Sequence, residues 1–418
     1  MILDGAAVIH MLQPGSSKTF SEYFKNVFFP YIDRLMRKTS RLDVVFDRYF
    51  LNSLKADARE GRGSGQRVQV SLKTVIPTKF NNFLSVNENK EELFHLLADV
   101  IVTCNMWPDK VVICTFDDTV KTNVSYIDVT SITPTNVEEA DGRILLHAKH
   151  AVETGHTRIL IRTVDSDVVV IAVYAFKRLQ NALELWIDFG IGKMRRYIAV
   201  HLLATTLRTE ICDSIPFFHA FTGCDTGSSF NGIGKKKAWN VWMKYRVVDD
   251  IFNRLSTATD STVDDASFET IQRFVVLLYD QSSDISRVNE CRRILFTKRN
   301  RPIDNIPPTA DALLQHLKRA TLQAKIWCRS LEKVPTNLHP VDYGWKVAEG
   351  RYKPLWITQP DVTEHCSELI KCACKRKCTN CTCIKHNLSC SRLCACDGHC
   401  SRIDIGHQSI SSEDAEAH

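Results

Sequence analysis

The chain has 418 residues, of which 44% are hydrophobic and 24% charged, and this composition excludes an intrinsically disordered or fibrous protein. Its length predicts two or three domains. The 54 basic and 48 acidic residues give a net charge of +6, a mild excess that permits a polyanionic partner without requiring one.

The sequence gives no sign of a membrane segment or a secretion signal. The longest apolar run, Val168 to Phe176, falls far short of the roughly 20 residues that a membrane span needs. The first twelve residues contain Asp4 and His10 and lack a basic region, so they are not typical of a signal peptide. We therefore expect an intracellular protein with no membrane partner.

Residues 1–240 alternate β-branched apolar runs with helical stretches, which predicts an α/β fold: a doubly wound, mostly parallel sheet with helices on both faces. The predicted strands are Ile2–Leu3, Asp43–Phe46, Lys110–Phe116, Arg158–Thr163 and Leu183–Asp188. The predicted helices are Phe20–Lys38, Glu91–Cys104, Val137–Thr154 and Ile198–Arg208.

The rest of the chain changes character twice. Residues 235–331 have amphipathic spacing and are predicted to be mostly helical, and four prolines then indicate an irregular connector. A cysteine-rich segment and a polar tail, expected to be disordered, follow. The predicted domains are a core at 1–218, a helical extension at 219–331, a connector at 332–365, a cysteine-rich module at 366–402 and a tail at 403–418.

Acidic residues follow several predicted strands or begin a predicted helix. They are Asp4, Asp47, Glu139, Asp141, Asp165 and Asp167. In a doubly wound sheet, side chains at the carboxyl ends of the strands meet in one crevice, and carboxylates gathered there need cations. Two Mg²⁺ or Mn²⁺ ions in such a crevice support phosphodiester hydrolysis. For any single acid, turn chemistry or an interaction with a helix dipole explains the residue better.

Two local patterns refine this prediction. Asp165 and Asp167 would point to the same side if the backbone after the strand is extended. The segment Thr135-Asn136-Val137-Glu138 fits a capping box, which would engage Glu138 and leave Glu139 and Asp141 for cations.

A glycine-rich turn precedes a predicted helix that begins with three lysines, Gly232-Ile233-Gly234-Lys235-Lys236-Lys237. Glycines let backbone amides approach a phosphate, and a helix N-terminus favours an anion. Lysines there oppose the helix dipole at a cost of roughly 0.3 to 1 kcal/mol each, which a nucleic-acid backbone would offset. The predicted DNA-binding residues are Gly232, Gly234, Lys235, Lys236 and Lys237; a solvated basic patch is the alternative.

The ordered set of acids, followed by Gly223-Cys224-Asp225 and this turn, resembles the flap-endonuclease (XPG-type) structure-specific 5′-nuclease family over residues 1–260. The resemblance implies a PIN-like fold with a helical arch and a helix-two-turn-helix element, to which K⁺ binds. It implies a metal-dependent nuclease that acts on branched or end-containing DNA. The implied ligands of two Mg²⁺ or Mn²⁺ ions are Asp4, Asp47, Glu139, Asp141, Asp165, Asp167 and Asp225. The family's Gly-Ser-Asp-Tyr is replaced here by Gly-Cys-Asp-Thr.

A basic stripe follows Asp47, with Lys55 and Arg59 one helical turn apart. In the family a lysine and an arginine of the arch engage the scissile phosphate, so the resemblance implies that Lys55 and Arg59 are catalytic. A solvated helix face is almost equally consistent with this spacing.

Nine closely spaced cysteines near the C-terminus predict a metal cluster. They are Cys372, Cys374, Cys378, Cys381, Cys383, Cys390, Cys394, Cys396 and Cys400. Three tetrahedral Zn²⁺ ions need twelve ligand positions, which nine thiolates supply if three of them bridge two ions. Disulfides are disfavoured without a secretion signal. The segment resembles the tesmin-type CXC domain, a zinc-cluster module that binds DNA.

Basic residues surround this segment, and Lys375, Arg376 and Lys377 are predicted to contact DNA. With three Zn²⁺ ions the module would carry a net charge of only about +2, so weak, salt-dependent binding is expected. The combined prediction is a nuclear, metal-dependent nuclease that the zinc module tethers to DNA, with no small-molecule substrate. The alternative is a catalytically inactive DNA-binding or scaffold protein that retains the nuclease fold.

Overall fold

The structure is a computed structural model that describes residues 1–50, 53–55, 65–297, 301–359, 372–374, 377–378, 381–385, 390, 394–397 and 401–402. The chain divides into two compact units, Met1–Trp356 and Ile357–His418. The predicted division of the first unit into a core and a helical extension stays a prediction.

A seven-stranded sheet forms the centre of the first unit, in the order β4-β3-β2-β1-β5-β6-β7. Its strands are β1 (Ile2–Asp4), β2 (Arg41–Val45), β3 (Val111–Phe116), β4 (Thr119–Thr122), β5 (Arg158–Thr163), β6 (Glu184–Phe189) and β7 (Arg196–Ala199). The five inner strands are parallel, and the two edge strands pair antiparallel with their neighbours. β-Branched runs suit the inner strands because helices cover both faces.

The strand order reverses beside β1. The chain passes from β1 to β2 and β3 on one side, then returns to place β5 and β6 on the other. Connections therefore leave the carboxyl ends of β1 and β5 in opposite directions and open a crevice between them. This crevice is where the predicted acidic site should lie.

Helices cover both faces of the sheet. Those before β5 are α1 (Gly5–Met11), α2 (Phe20–Tyr23), α3 (Phe29–Met36), α4 (Phe80–Phe83), α5 (Asn87–Thr103) and α6 (Ala140–Glu153). Those after β5 are α7 (Ser166–Phe176), α8 (Val200–Thr206), α9 (Thr209–Phe221), α10 (Lys235–Lys244), α11 (Asp249–Thr257), α12 (Asp265–Tyr279), α13 (Val288–Thr297) and α14 (Ala310–Cys328). One apolar core lies between the sheet and α1–α5, and a second involves α6, α7 and α9–α14.

A buried ionic network joins α6 to β2. Arg41 Nε lies 2.7 Å from Asp43 Oδ1, and His147 Nδ1 of α6 lies 2.7 Å from Asp43 Oδ2. Burial alone would raise the pKa of Asp43, but Arg41 and the hydrogen bond from His147 hold it well below its usual value. The network therefore fixes the position of α6, which carries acidic residues at its N-terminus.

The sheet confirms the predicted parallel α/β core, with five predicted strands found close to their expected bounds. Residues 235–328 are mostly helical, as predicted. Within the described residues, no helix is both long and apolar enough to cross a bilayer.

Several element predictions were wrong. The apolar run after Asp167 was not assigned, yet it forms helix α7, because a helix buried on nearly all sides has no polar face to give it a period. The helix predicted from Ile198 begins at Val200 instead, because Ile198 and Ala199 end the edge strand β7. The predicted helix 20–38 is, by contrast, confirmed as helical from Phe20 to Met36, with a π-helical segment at Phe24–Phe28. The predicted irregular connector contains a hairpin, β8 (Trp345–Ala348) and β9 (Arg351–Pro354).

Candidate metal centres

An acidic cleft of about 790 Å³ lies at the carboxyl ends of the inner strands. Six of the seven predicted cation ligands line it: Asp4, Asp47, Glu139, Asp141, Asp165 and Asp225. They come from positions spread over more than two hundred residues of sequence, and the reversal of strand order gathers them.

Asp141, Asp165 and Asp167 form the tightest group of acids, hereafter the acidic triad. Each offers a ligand oxygen, and these atoms lie within 4.8 Å of one another. Asp141 is in the first turn of α6, Asp165 is the N-cap of α7, and Asp167 is in its first turn. The extended backbone predicted for Asp165–Asp167 is therefore wrong. Asp167 N instead donates to Asp165 Oδ1 at 2.8 Å, and the convergence of two helix starts brings the carboxylates together.

The predicted capping box is also wrong. Helix α6 begins at Ala140, so Glu139 is its N-cap residue, and Thr135 Oγ1 accepts from Val137 N within the preceding loop. The amide of Ala140 donates to Asp47 Oδ1 at 2.8 Å. A residue that follows β2 thus caps a helix more than ninety positions later, a pairing that local sequence cannot reveal.

Asp4 lies at the bottom of the cleft and is 7% exposed. It caps α1 by accepting from Ala7 N at 2.9 Å, and Thr163 Oγ1 donates to its other oxygen at 2.9 Å. Burial, assisted by the charge of Asp47, raises the pKa of Asp4 to about 7.

Burial also raises the pKa values of Asp141, Asp165 and Glu139. Neighbouring carboxylates add to the effect: Asp165 raises the pKa of Asp141, and Asp167 raises that of Asp165. Charged carboxylates gathered out of water are costly unless cations accompany them. Oxygen donors are the ligands that hard divalent cations take, so this donor set fits such an ion.

Lys55 extends into the cleft, where its ammonium lies 2.7 Å from Glu139 Oε1. Burial alone would lower its pKa, but Glu139 and Asp141 raise it above the usual value, so Lys55 remains a cation. Arg59, the second predicted arch residue, lies outside the described residues.

His219 was missed by the sequence analysis. It lies on α9, is 7% exposed, and its Nε2 is 2.8 Å from Asp167 Oδ1. No spacing relates His219 to the acids before it, because the contact depends on how α9 packs against α7. The one sequence feature that could have indicated a role in the site is that His219 lies in an apolar helix, six residues before Asp225.

The lysine-rich helix start is found as predicted in position: α10 begins at Lys235, with Gly234 as its N-cap. Lys235 Nζ donates to the His219 and Gly223 carbonyls and to Thr222 Oγ1, at 2.9, 2.7 and 3.1 Å, so it holds the C-terminal end of α9. Lys236 and Lys237 are exposed. Gly232 has a φ of 70°, which favours glycine. DNA binding here, and the K⁺ site, stay predictions.

The second candidate centre is sulfur-rich. Cys372, Cys390, Cys394 and Cys396 place their sulfurs within 4.8 Å of one another, and Cys372, Cys374 and Cys381 form a second such group. Cys383 Sγ lies 3.5 Å from Cys394 Sγ. Cys372 belongs to both groups. Of the other predicted residues, Cys378 and Lys377 are described as backbone in β10 (Lys377–Cys378), while Cys400, Lys375 and Arg376 lie outside the described residues.

No protein-family model matches the chain, and neither does any curated protein sequence. The chain itself offers two donor sets of opposite chemical character. One consists of buried carboxylate oxygens in a cleft, and the other of clustered thiols. Both could bind metal ions, and hard cations prefer the first whereas Zn²⁺ prefers the second.

Proposed function

We propose that the protein is a divalent-metal-dependent nuclease that acts on branched or end-containing DNA and is tethered to DNA by a zinc-cluster module. The observation that carries the proposal is the acidic triad, of which Asp141 and Asp165 line a cleft together with four further carboxylates. Structural acids are usually neutralised by basic partners, whereas this cleft contains many more carboxylates than lysines or arginines.

Asp141, Asp165 and Asp167 would hold one Mg²⁺ or Mn²⁺ ion, and Asp4, Asp47, Glu139 and Asp225 would supply carboxylates for a second. Such ions, when bound, supply Lewis acidity at the phosphoryl oxygens and lower the pKa of an attacking water. Burial raises the pKa of the Cys224 thiol, which makes it a poor nucleophile, so we propose hydrolysis by water without a covalent intermediate.

Among the described residues, Lys55 is well placed to contact the substrate phosphate. Its ammonium is charged, lies in the cleft wall and contacts a carboxylate that would also face a cation. A flexible lysine can exchange one anionic partner for another at little cost, so Lys55 could move from Glu139 to a phosphate oxygen. His219 would keep Asp167 oriented by binding one of its oxygens.

The cysteine-rich unit fits Zn²⁺ by donor type and geometry. We propose that Cys372 bridges two ions and that nine cysteines in all hold three ions. Binding of DNA by this unit is supported by the basic residues interleaved with the cysteines.

The test is a cleavage assay on purified, zinc-loaded protein with labelled 5′-flap, bubble, duplex and single-stranded DNA in Mg²⁺ or Mn²⁺. We expect cleavage of at least one branched or end-containing substrate, and its loss in the Asp165→Ala, Asp167→Ala double variant. A matched control is Asp250→Ala, which removes an exposed acid from helix α11, outside the cleft.

Binding of these DNAs with no cleavage in either metal would contradict the nuclease proposal. That result would favour the second candidate, a catalytically inactive DNA-binding or scaffold protein. Cleavage that persists in the double variant would show that another site, or a contaminant, is responsible.

A further inference from the structure

A second groove, hereafter the basic groove, adjoins the acidic cleft and encloses about 750 Å³. Arg34 and Lys38 line it from α3 and the turn that follows. Arg162 lines it from β5, Tyr197 from β7 and Arg195 from the residue just before β7. The cleft and the groove share His10, Met11 and Ile191 as walls. They are therefore adjoining parts of one surface depression.

The two depressions have opposite charge. Among its described lining residues, the basic groove has four arginines and lysines and one carboxylate, that of Asp188. Arg195 binds Asp188 through two hydrogen bonds of 2.7 and 2.6 Å, and Arg162 donates to the Asp188 carbonyl at 2.7 Å. Arg162 Nη1 also lies 3.7 Å from Asp188 Oδ1, so this one buried carboxylate faces two arginines and cannot neutralise both.

Arg34 and Lys38 leave the groove with a net positive charge. Both side chains are exposed, and neither forms an ion pair or hydrogen bond within the described part of the chain. Arg37, their neighbour, differs because it pairs with Asp33 at 2.8 Å and does not line the groove. The two unpaired cations are spaced so that both face the same depression.

The groove also offers aromatic surface. Tyr197 is 59% exposed on the edge strand β7, and Tyr31, which is half-buried on α3, also lines the groove. An exposed aromatic ring in a groove that also carries unpaired cations suits a single-stranded nucleic acid, since a base can stack on the ring while phosphates contact the cations. A rigid duplex keeps its bases stacked inside and would gain nothing from the rings.

We propose that the basic groove binds a single-stranded nucleic-acid segment adjoining the phosphodiester that the acidic cleft holds. Its link to the cleft rests on the proposed nuclease function, whereas strand binding itself does not. A cleft lined by six carboxylates attracts a polyanion poorly, so a neighbouring cationic surface is needed to retain the strand. DNA and RNA share the chemistry involved, and the test separates them.

The test measures binding of fluorescein-labelled oligothymidylate and oligouridylate to the full zinc-loaded chain by anisotropy, with Ca²⁺ in place of Mg²⁺ to slow turnover. We expect the Arg34→Ala, Lys38→Ala double variant to bind roughly tenfold more weakly. Its slope of log affinity against log salt should be shallower by about 1.4, as expected for the loss of two phosphate contacts. Tyr197→Ala should weaken binding about fivefold or more, because it removes a stacking platform.

The matched control is Arg37→Ala, which removes an exposed positive charge from the same segment and should leave affinity unchanged. Thermal unfolding of each variant checks that the fold is retained. Loss of affinity for only one of the two oligonucleotides would identify DNA or RNA as the occupant. Equal binding by the double variant, the control and the unaltered protein would overturn the proposal, as would an equal loss of affinity for a duplex.

Photo-crosslinking distinguishes oligonucleotide bound in the basic groove from oligonucleotide bound by the cysteine-rich unit. An oligonucleotide with 4-thiothymidine should photo-crosslink to the peptide that contains Tyr197, and crosslinks confined to other segments would contradict the proposal. Failure of the two proposals can be told apart. Groove binding without any cleavage would reject only the nuclease, and normal binding and cleavage by the double variant would reject only the groove.

Discussion

The two candidate metal centres differ in what keeps their ligands together. The acidic triad is built on two helix starts and a parallel sheet whose apolar cores lie on both faces. In the described part of the cysteine-rich unit, the buried apolar cluster consists entirely of cysteines: Cys372, Cys381, Cys383, Cys394 and Cys396. The carboxylates are therefore placed by a fold with its own core, whereas the thiols are themselves the core.

The acidic site is therefore expected to form when the chain folds without metal, whereas the cysteine site is expected to form only when metal binds. A large domain buries enough apolar surface to hold several carboxylates near one another at an energetic cost. A small cysteine-rich segment does not, so the free energy of metal binding becomes its free energy of folding. Removing metal should consequently have different effects on the two units.

Chelation should give the largest effect. A zinc-selective chelator should abolish the structure of the cysteine-rich unit, because structural Zn²⁺ contributes roughly 10 to 16 kcal/mol in comparable small modules. Limited proteolysis with mass spectrometry should then show new cleavage within residues 372–397 and none in the sheet of the first unit. Simultaneous loss of both units would contradict the comparison.

Cysteine substitutions provide the control for this experiment. Cys372→Ser should release more zinc than Cys374→Ser, since Cys372 belongs to both sulfur groups and Cys374 to one. Cys104→Ser, in the first unit, should release none.

A second prediction concerns pH and the scaffold of the acidic cleft. His316 of α14 is buried, its Nε2 lies 2.8 Å from the Phe221 carbonyl, and burial lowers its pKa to about 4 from the ordinary 6.5. As pH falls below 6.5 the unfolded chain takes up a proton that the folded chain refuses, so stability falls until about pH 4. Between pH 7 and pH 5 this group should cost about 2 kcal/mol.

Urea unfolding of the unaltered protein and of His316→Gln at both pH values measures this loss. Asp4 has the opposite effect on stability. Its raised pKa makes the folded chain bind a proton more readily than the unfolded chain, so its contribution to stability rises as pH falls through about 7. The difference between the protein and the variant isolates His316. A variant with the same pH dependence as the unaltered protein would contradict the assignment.

A third effect is expected at His219. His219→Leu should weaken Mn²⁺ binding by roughly 10- to 100-fold, the usual cost of removing a residue that orients a metal ligand. His219→Gln keeps an N–H donor and should restore part of the affinity. Electron paramagnetic resonance of unbound Mn²⁺ provides the measurement.

His95→Leu is the matched control, since His95 and Asp117 form a pair of the same 2.8 Å length on the surface. It should bind Mn²⁺ like the unaltered protein. Equal affinity in His219→Leu and His95→Leu would show that the contact with Asp167 does not orient a ligand. No Mn²⁺ binding by the unaltered protein would instead reject the metal site itself.

Sequence reasoning located most of the sheet and most of the acidic cleft. The inner strands carry β-branched runs, and a parallel sheet places the residues at or just beyond the ends of β1, β2 and β5 at one edge, which brings Asp4, Asp47 and Asp165 together. The spacing of the cysteines likewise predicted a cluster, because closely spaced cysteines are typical of metal sites when disulfides are disfavoured.

The features that were missed depend on contacts between distant residues. Asp47 caps α6, and His219 reaches Asp167, through helix packing that no local pattern encodes. Lys235 was predicted to contact DNA because it begins a helix, yet its ammonium donates to carbonyls at the C-terminal end of α9. Helix α7 was not predicted because it is apolar on most sides, so its sequence has no amphipathic period.

Anomalous diffraction from crystals of the zinc-loaded protein soaked in Mn²⁺, recorded at the manganese and zinc absorption edges, tests the two-centre account most directly. We predict manganese bound to carboxylate oxygens of Asp141, Asp165 and Asp167, and zinc among the cysteine sulfurs with Cys372 shared by two ions. Zinc in the cysteine cluster with no manganese at the acidic triad would contradict the account.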